Sequence, residues 1–299
     1  MKLAIAPEVA KALAANEPVV ALESTVIAHG LPRPRNLLTA KALEAEIRAL
    51  GVVPATIALH DGVAVVGAGD VLLERLANES GVAKVSLRDI AAVLAARSLG
   101  GTTVAATVEI AAAAGIRVLA TGGIGGVHRG AERSFDESAD LEAIARHPVV
   151  VVCAGAKFVL DLALTLERLE TLGVPVLGYG TDEFPAFYVR SSGLRLGYRV
   201  NDALGAARIA TEQLARGAGL LLCVPVPPES ALAQQEVEGQ VRNAIAAADR
   251  DGIRGADLTP YLLRALGEAT NYRALDANIA LLRANAQVAA QLALTLSAP

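Results

Sequence analysis

The chain has 299 residues, of which 53% are hydrophobic and 19% charged, a balance that suits a well-packed globular protein and excludes the disordered class. Lys and Arg number 27 against 31 Asp and Glu, a net charge of −4, and aromatic residues make up only 3%, so neither a basic patch nor a stacking platform for nucleic acid is present. The N-terminus is broken by Pro7 and Glu8 before a signal-type apolar core can form, and no run of about 18 uncharged apolar residues follows. These features predict a soluble cytoplasmic protein with no membrane partner, organised as one domain over residues 1–299.

In chain order, short β-branched runs alternate with longer segments of helical period. A strand is predicted near 18–27, a helix over 36–50, strands near 55–60 and 63–67, and helices over 88–98 and 103–114. There follow a strand near 117–121, a helix over 138–146, a strand near 149–153, a helix over 157–172 and a strand near 175–178. A helix over 201–216 and a strand near 219–224 complete the alternation. The last 70 residues carry only helical patterns, over 230–248, 259–268 and 276–295. The fold class predicted is α/β: a three-layer α/β/α arrangement with a central mixed, largely parallel sheet and a helical C-terminal region. Gly51 and Gly173 stand where left-handed residues close helices, and Thr259 before Pro260 reads as an N-cap followed by the first helical position. Cys153 and Cys223, each at the end of an apolar run, read as buried thiols.

Three stretches can carry chemistry. In "VVVVCAGAKFVLD", residues 149–161, Lys157 follows an apolar strand at the carboxyl end, where open α/β sheets place their ligands. Desolvation in such a place lowers a lysine's pKa and makes its amine a nucleophile. The alternative is a packed stem with its head in water, or an ion pair with Asp161. In "VVALESTVIAHGLPRPRN", residues 19–36, Glu23 interrupts a strand-like run, either as an acid or base of raised pKa or as an edge charge turned to solvent. In "ATGGIGGVHRGAERSFDESADL", residues 120–141, paired glycines let a ligand approach the backbone, while His128 stands where a dinucleotide fingerprint needs glycine. Asp136, Glu137 and Asp140 crowd hard oxygen ligands before a helix that Ser138 can cap. They suit either a hydrated Mg²⁺ or Mn²⁺ or a solvated acidic loop. Lys84 can add a second cation, and His60 and His147 read as structural or surface residues.

Five blocks, "ESTVIAHGLPRPRN", "TGGIGGVHRGAERSFDESADL", "VVCAGAKFVLD", "GYGTDEFPAFY" and "DANIALLRANA", occur in an order that resembles the pseudouridine-5′-phosphate glycosidase family, also called indigoidine synthase A. The resemblance covers nearly the whole chain. It implies reversible cleavage of pseudouridine 5′-phosphate to uracil and ribose 5-phosphate, a divalent metal, usually manganese and one per subunit, and a homotrimer. Carried over by position, Lys157 resembles the nucleophile, Glu23 the proton donor and Asp136 the metal ligand. Lys84, Val104, Ser138, Ala139 and Asp140 resemble substrate contacts, with Thr121, His128 and Asn278 lining the same pocket. A Schiff-base aldolase or lyase acting on another sugar phosphate is the rival reading, since it uses a lysine equally well.

Overall fold

A computed structural model describes residues 1–253, 258–270 and 272–298, with the side chains of 249, 259, 260 and 263 outside that set. Among these residues the strands are β1 (Leu3–Ile5), β2 (Val19–Leu22), β3 (Val53–His60), β4 (Val63–Val66), β5 (Ala83–Val85), β6 (Gly100–Thr102), β7 (Val118–Ala120), β8 (Val150–Cys153), β9 (Val176–Tyr179), β10 (Tyr198–Val200) and β11 (Leu220–Cys223). The α-helices are α1 (Pro7–Ala14), α2 (Arg35–Ala49), α3 (Asp70–Asn78), α4 (Ile90–Ala95), α5 (Val104–Ala114), α6 (Ala131–Ser134), α7 (Ala139–Arg146), α8 (Leu162–Thr171), α9 (Ala203–Ala215), α10 (Gln234–Arg250), α11 (Leu258–Ala269) and α12 (Arg273–Ser297).

The strands β2, β7, β8 and β11 are buried on both faces and made of Val, Leu, Ala and Cys, the composition of a sheet covered by helices on either side. The sheet runs β1-β4-β3-β2-β7-β8-β11-β9-β10, with β6 pairing β3 and β5 pairing β6. All pairings are parallel except β3 with β4 and β3 with β6, so the mixed, largely parallel sheet is as expected. From β2 the chain builds outward through β3, and from β7 it builds the other way through β8. The crossover crevice therefore opens above the carboxyl ends of β2 and β7, where such sheets bind ligands.

Helix α12 packs between α2 and α9 and lies against β2, β7 and β8, while α5 and α7 pack together in the other layer. By length and composition α12 is apolar enough to cross a membrane, but half of its most apolar stretch is buried inside the fold, as befits a core helix. Cys153 and Cys223 are fully buried, free of a disulfide and in register on β8 and β11.

Several boundaries differ from expectation. The run 18–27 stops as a strand at Leu22, and Val26–Gly30 winds into a single π-turn, a device often found at functional sites. The segment 88–98 is a 3₁₀ turn, Leu87–Asp89, leading into the short α4. The helix expected from 157 begins only at Leu162, because Asp161 caps it by accepting the Leu164 amide at 3.0 Å. The three-residue strands β1, β5, β6 and β10 and the helices α1 and α3 fall outside the predicted set; three residues are too few for period-2 alternation to show. Gly51 and Gly173 do take left-handed angles, φ 77 and 72. Leu258, one residue before the expected cap, is already within helix α11, and the side chains of Thr259 and Pro260 lie outside the described residues.

Candidate active site

The crevice is built from residues that directly follow strands. Glu23 comes one residue after β2, Thr121 one residue after β7, and Lys157 four residues after β8. Beyond the strand ends the β7 and β8 paths stay paired: Ile124 bridges to Ala156, and the Lys157 amide donates to the Ile124 carbonyl at 3.0 Å. This backbone pinning holds Lys157 in a turn, not in the first turn of a helix. With Asp161 engaged in capping α8, the i+4 ion pair with Lys157 has no support.

Glu23 Oε1 accepts the Thr121 hydroxyl at 3.0 Å, and Oε2 accepts the Val26 amide of the π-turn at 3.1 Å. Part of its surface stays open, as for a group lining a cavity, yet it sits deep enough that burial raises its carboxyl above the ordinary value of 4.5. The Lys157 charge and the two hydrogen bonds pull the other way, and Asp140 reinforces the rise. Glu23 is thus an acid of raised proton affinity facing a lysine, not an edge charge in solvent. A small cavity beside it is lined by Leu22, Val26, Thr56, Thr121 and Leu282.

The acidic cluster separates once folded. Asp140 is buried, and its two oxygens accept the Ala105 amide at the start of α5 (2.8 Å) and the Gly125 amide (2.7 Å). Glu137 pairs with Arg168 at 2.9 Å. Asp136 is half-buried, its carboxylate 3.9 Å from His128 Nδ1. Among the described residues no group of three His, Cys, Asp or Glu gathers there, so the donor set suits only a hard cation that keeps most of its water. Burial lowers the His128 pKa, Asp136 raises it, and the Lys157 and Lys84 charges lower it further, so both lysine charges reach this corner. Lys84, on β5, acts likewise on His29, whose pKa burial lowers first. Ser138 caps α7 by accepting the Asp140 amide at 3.2 Å, with Ala139 as the first helical residue. Val104 is buried at the first turn of α5, and Asn278 is buried on α12.

The glycine loop is close-packed where it meets this helix: a Cβ on Gly125 would lie 2.3 Å from Ser138 Oγ. His60 and His147 stand apart, at Arg75 and the Ala143 carbonyl. Asn285 was not singled out in the sequence, yet it is fully buried and donates to the Thr121 carbonyl at 2.7 Å. The available signal was a second asparagine seven residues after Asn278, two turns along a helix otherwise rich in Ala and Leu.

An open α/β sheet that gathers an acid and an amine at its crossover is the framework of a small-molecule enzyme. The family model described as indigoidine synthase A like protein matches residues 8–295, and the chain belongs to that family. It is 54% identical over 301 residues to a pseudouridine-5′-phosphate glycosidase of Chloroflexus aurantiacus, covering 99% of each chain. It is 53% identical over 297 residues to the enzyme of the same name from Myxococcus xanthus, covering 98% of each. Among solved structures, the prealnumycin C-glycosynthase AlnA in complex with ribulose 5-phosphate superposes with a TM-score of 0.92 at 42% identity, over 99% of this chain and 97% of that one.

Proposed function

We propose that the chain cleaves the carbon–carbon glycosidic bond of pseudouridine 5′-phosphate reversibly, giving uracil and ribose 5-phosphate. The observation that carries this reading is the Glu23 carboxyl at the β2/β7 crevice, hydrogen-bonded to Thr121 and raised by burial, within reach of the Lys157 charge. The names of the half-identical relatives support the substrate. In an ordinary glycoside, protonating an oxygen or nitrogen releases the leaving group, but here the base is held by carbon and needs another route.

Lys157 supplies that route. Its amine attacks the anomeric carbon; the N–C bond forms, the bond to the ring oxygen breaks, and that oxygen takes the proton the nitrogen gives up. Glu23 then delivers a proton to the uracil carbon attached to the sugar. The carbon–carbon bond breaks as the nitrogen lone pair forms an iminium on the sugar. Water hydrolyses the iminium, releasing ribose 5-phosphate and restoring the amine. Thr121 and the Val26 amide orient the Glu23 carboxyl for this transfer. By resemblance, Lys84, Val104, Ser138, Ala139 and Asp140 contact the sugar phosphate, with His128 and Asn278 lining the same pocket.

Asp136 would hold the divalent cation, Mn²⁺ by resemblance, through one carboxylate. When bound, such an ion supplies positive charge that orients a phosphorylated sugar. A homotrimer in the cytoplasm is part of the same proposal, checked by light scattering.

The direct test is uracil release from pseudouridine 5′-phosphate with and without chelator, followed by borohydride trapping of the sugar adduct. Full activity in Lys157→Ala, or an adduct on another residue, defeats the mechanism. Turnover of an unrelated sugar phosphate with none of pseudouridine 5′-phosphate would favour the aldolase reading.

A further inference from the structure

Helix α12 reaches the crevice through Asn285. Its side-chain amide donates to the Thr121 carbonyl at 2.7 Å and to the Gly122 carbonyl at 3.3 Å. The need for this arises from the crossover. Leu22 is the last β2 residue paired with β7, opposite Ala120. The Gly122 carbonyl still meets the Ala154 amide on the β8 side at 2.8 Å. On the other side the Thr121 carbonyl no longer faces a strand, and it takes its donor from Asn285. A buried carbonyl has to be matched in this way.

Asn285 carries a flaw as a purely structural residue: its Oδ1 is buried with no partner among the described atoms. An unmet acceptor in a core helix persists where the donor on the same amide has a use. We infer that Asn285 is a positioning residue which, by fixing the Thr121–Gly122 backbone, seats the Thr121 hydroxyl on Glu23 Oε1. The inference rests on the reading of Glu23 as the acid.

A hydroxyl donated to a carboxylate favours its ionised form. The groups facing Glu23 are Lys157 from the turn after β8, Asp140 from α7, the Val26 amide of the π-turn and Thr121 itself. Of these groups only Thr121 is bonded to Asn285, so replacing Asn285 acts on Glu23 through that one contribution.

The experiment uses the full chain with Asn285→Leu and Asn285→Ser. The Glu23 carboxyl is titrated by infrared difference spectroscopy, its band identified by its absence in Glu23→Gln. The expected result is a Glu23 midpoint about one pH unit higher. Thr121→Val should show the same displacement, the double variant no further one, and Thr121→Ser the original midpoint. Turnover should fall more than KM rises. An unmoved Glu23 midpoint in folded Asn285→Leu or Asn285→Ser, whatever the loss of thermal stability, overturns the inference. Unimpaired turnover in Glu23→Gln would instead remove the acid assignment, while the midpoint still decides whether Asn285 governs Thr121.

Discussion

Replacing Asp140 by Asn separates two accounts of that residue. The family resemblance makes it a substrate contact, whereas its two oxygens are occupied by the Ala105 and Gly125 amides at 2.8 and 2.7 Å. Each hydrogen bond to a charged acceptor contributes roughly 1.5–3 kcal/mol. Asparagine keeps one acceptor, at neutral strength, and turns an NH₂ toward the other amide, which is then buried without a partner. The expected loss is about 3 kcal/mol of folding free energy, which lowers Tm by about 5 °C for a chain of this size. Because the same carboxylate ties the glycine loop to the start of α5, kcat should fall along with stability. Thermal denaturation and uracil-release kinetics on Asp140→Asn provide the check. A raised KM with an unchanged Tm would show that Asp140 serves the substrate directly and that its backbone bonds are incidental.

The raised Glu23 pKa has a stability consequence of definite sign. A carboxyl whose folded pKa lies above its unfolded one costs stability as pH rises from the ordinary value of 4.5 through the folded value. Glu23→Gln should therefore gain stability relative to the original chain at pH 7 and little below pH 4, measured by denaturant unfolding at both; an equal effect at the two pH values contradicts this. Gly155 has φ +79, and an added Cβ would lie 2.0 Å from the Pro185 carbonyl oxygen. Gly155→Ala should thus be far more destabilising than Gly51→Ala, which has φ +77 and open space and should cost only about 1–2 kcal/mol; comparable melting temperatures for the two would refute the steric account. Asp136→Asn should weaken Mn²⁺ binding by at least about tenfold in calorimetry, and undiminished binding would place the ion elsewhere.

The alternation of buried β-branched runs with helical segments was legible because covered parallel strands are apolar on both faces and their helices are not. What escaped were elements whose cause is tertiary. The strand β6 contains two glycines and exists because β3 and β5 flank it. The late start of α8 is a side-chain choice by Asp161 that periodicity cannot register. At the site, Lys157 and Glu23 were conspicuous because each is a charge set against an apolar strand. The division of labour among Asp136, Glu137 and Asp140 was not, since three adjacent carboxylates look alike until Arg168 and two backbone amides claim two of them. Asn285 was hidden for the converse reason: a neutral amide in a helix has a role only through the strand end it meets.

The strand order places one strand, β7, between the strand that leads to the acid and the strand that leads to the lysine. Two neighbour-to-neighbour steps across a sheet span about 10 Å, room for a pentose ring with a side chain reaching in from either bank. The gap between Glu23 and Lys157 is thus a multiple of the backbone ladder's own repeat. Lengthening the surface connections leaves that gap untouched, whereas wedging another strand into the ladder would part the two side chains beyond reach.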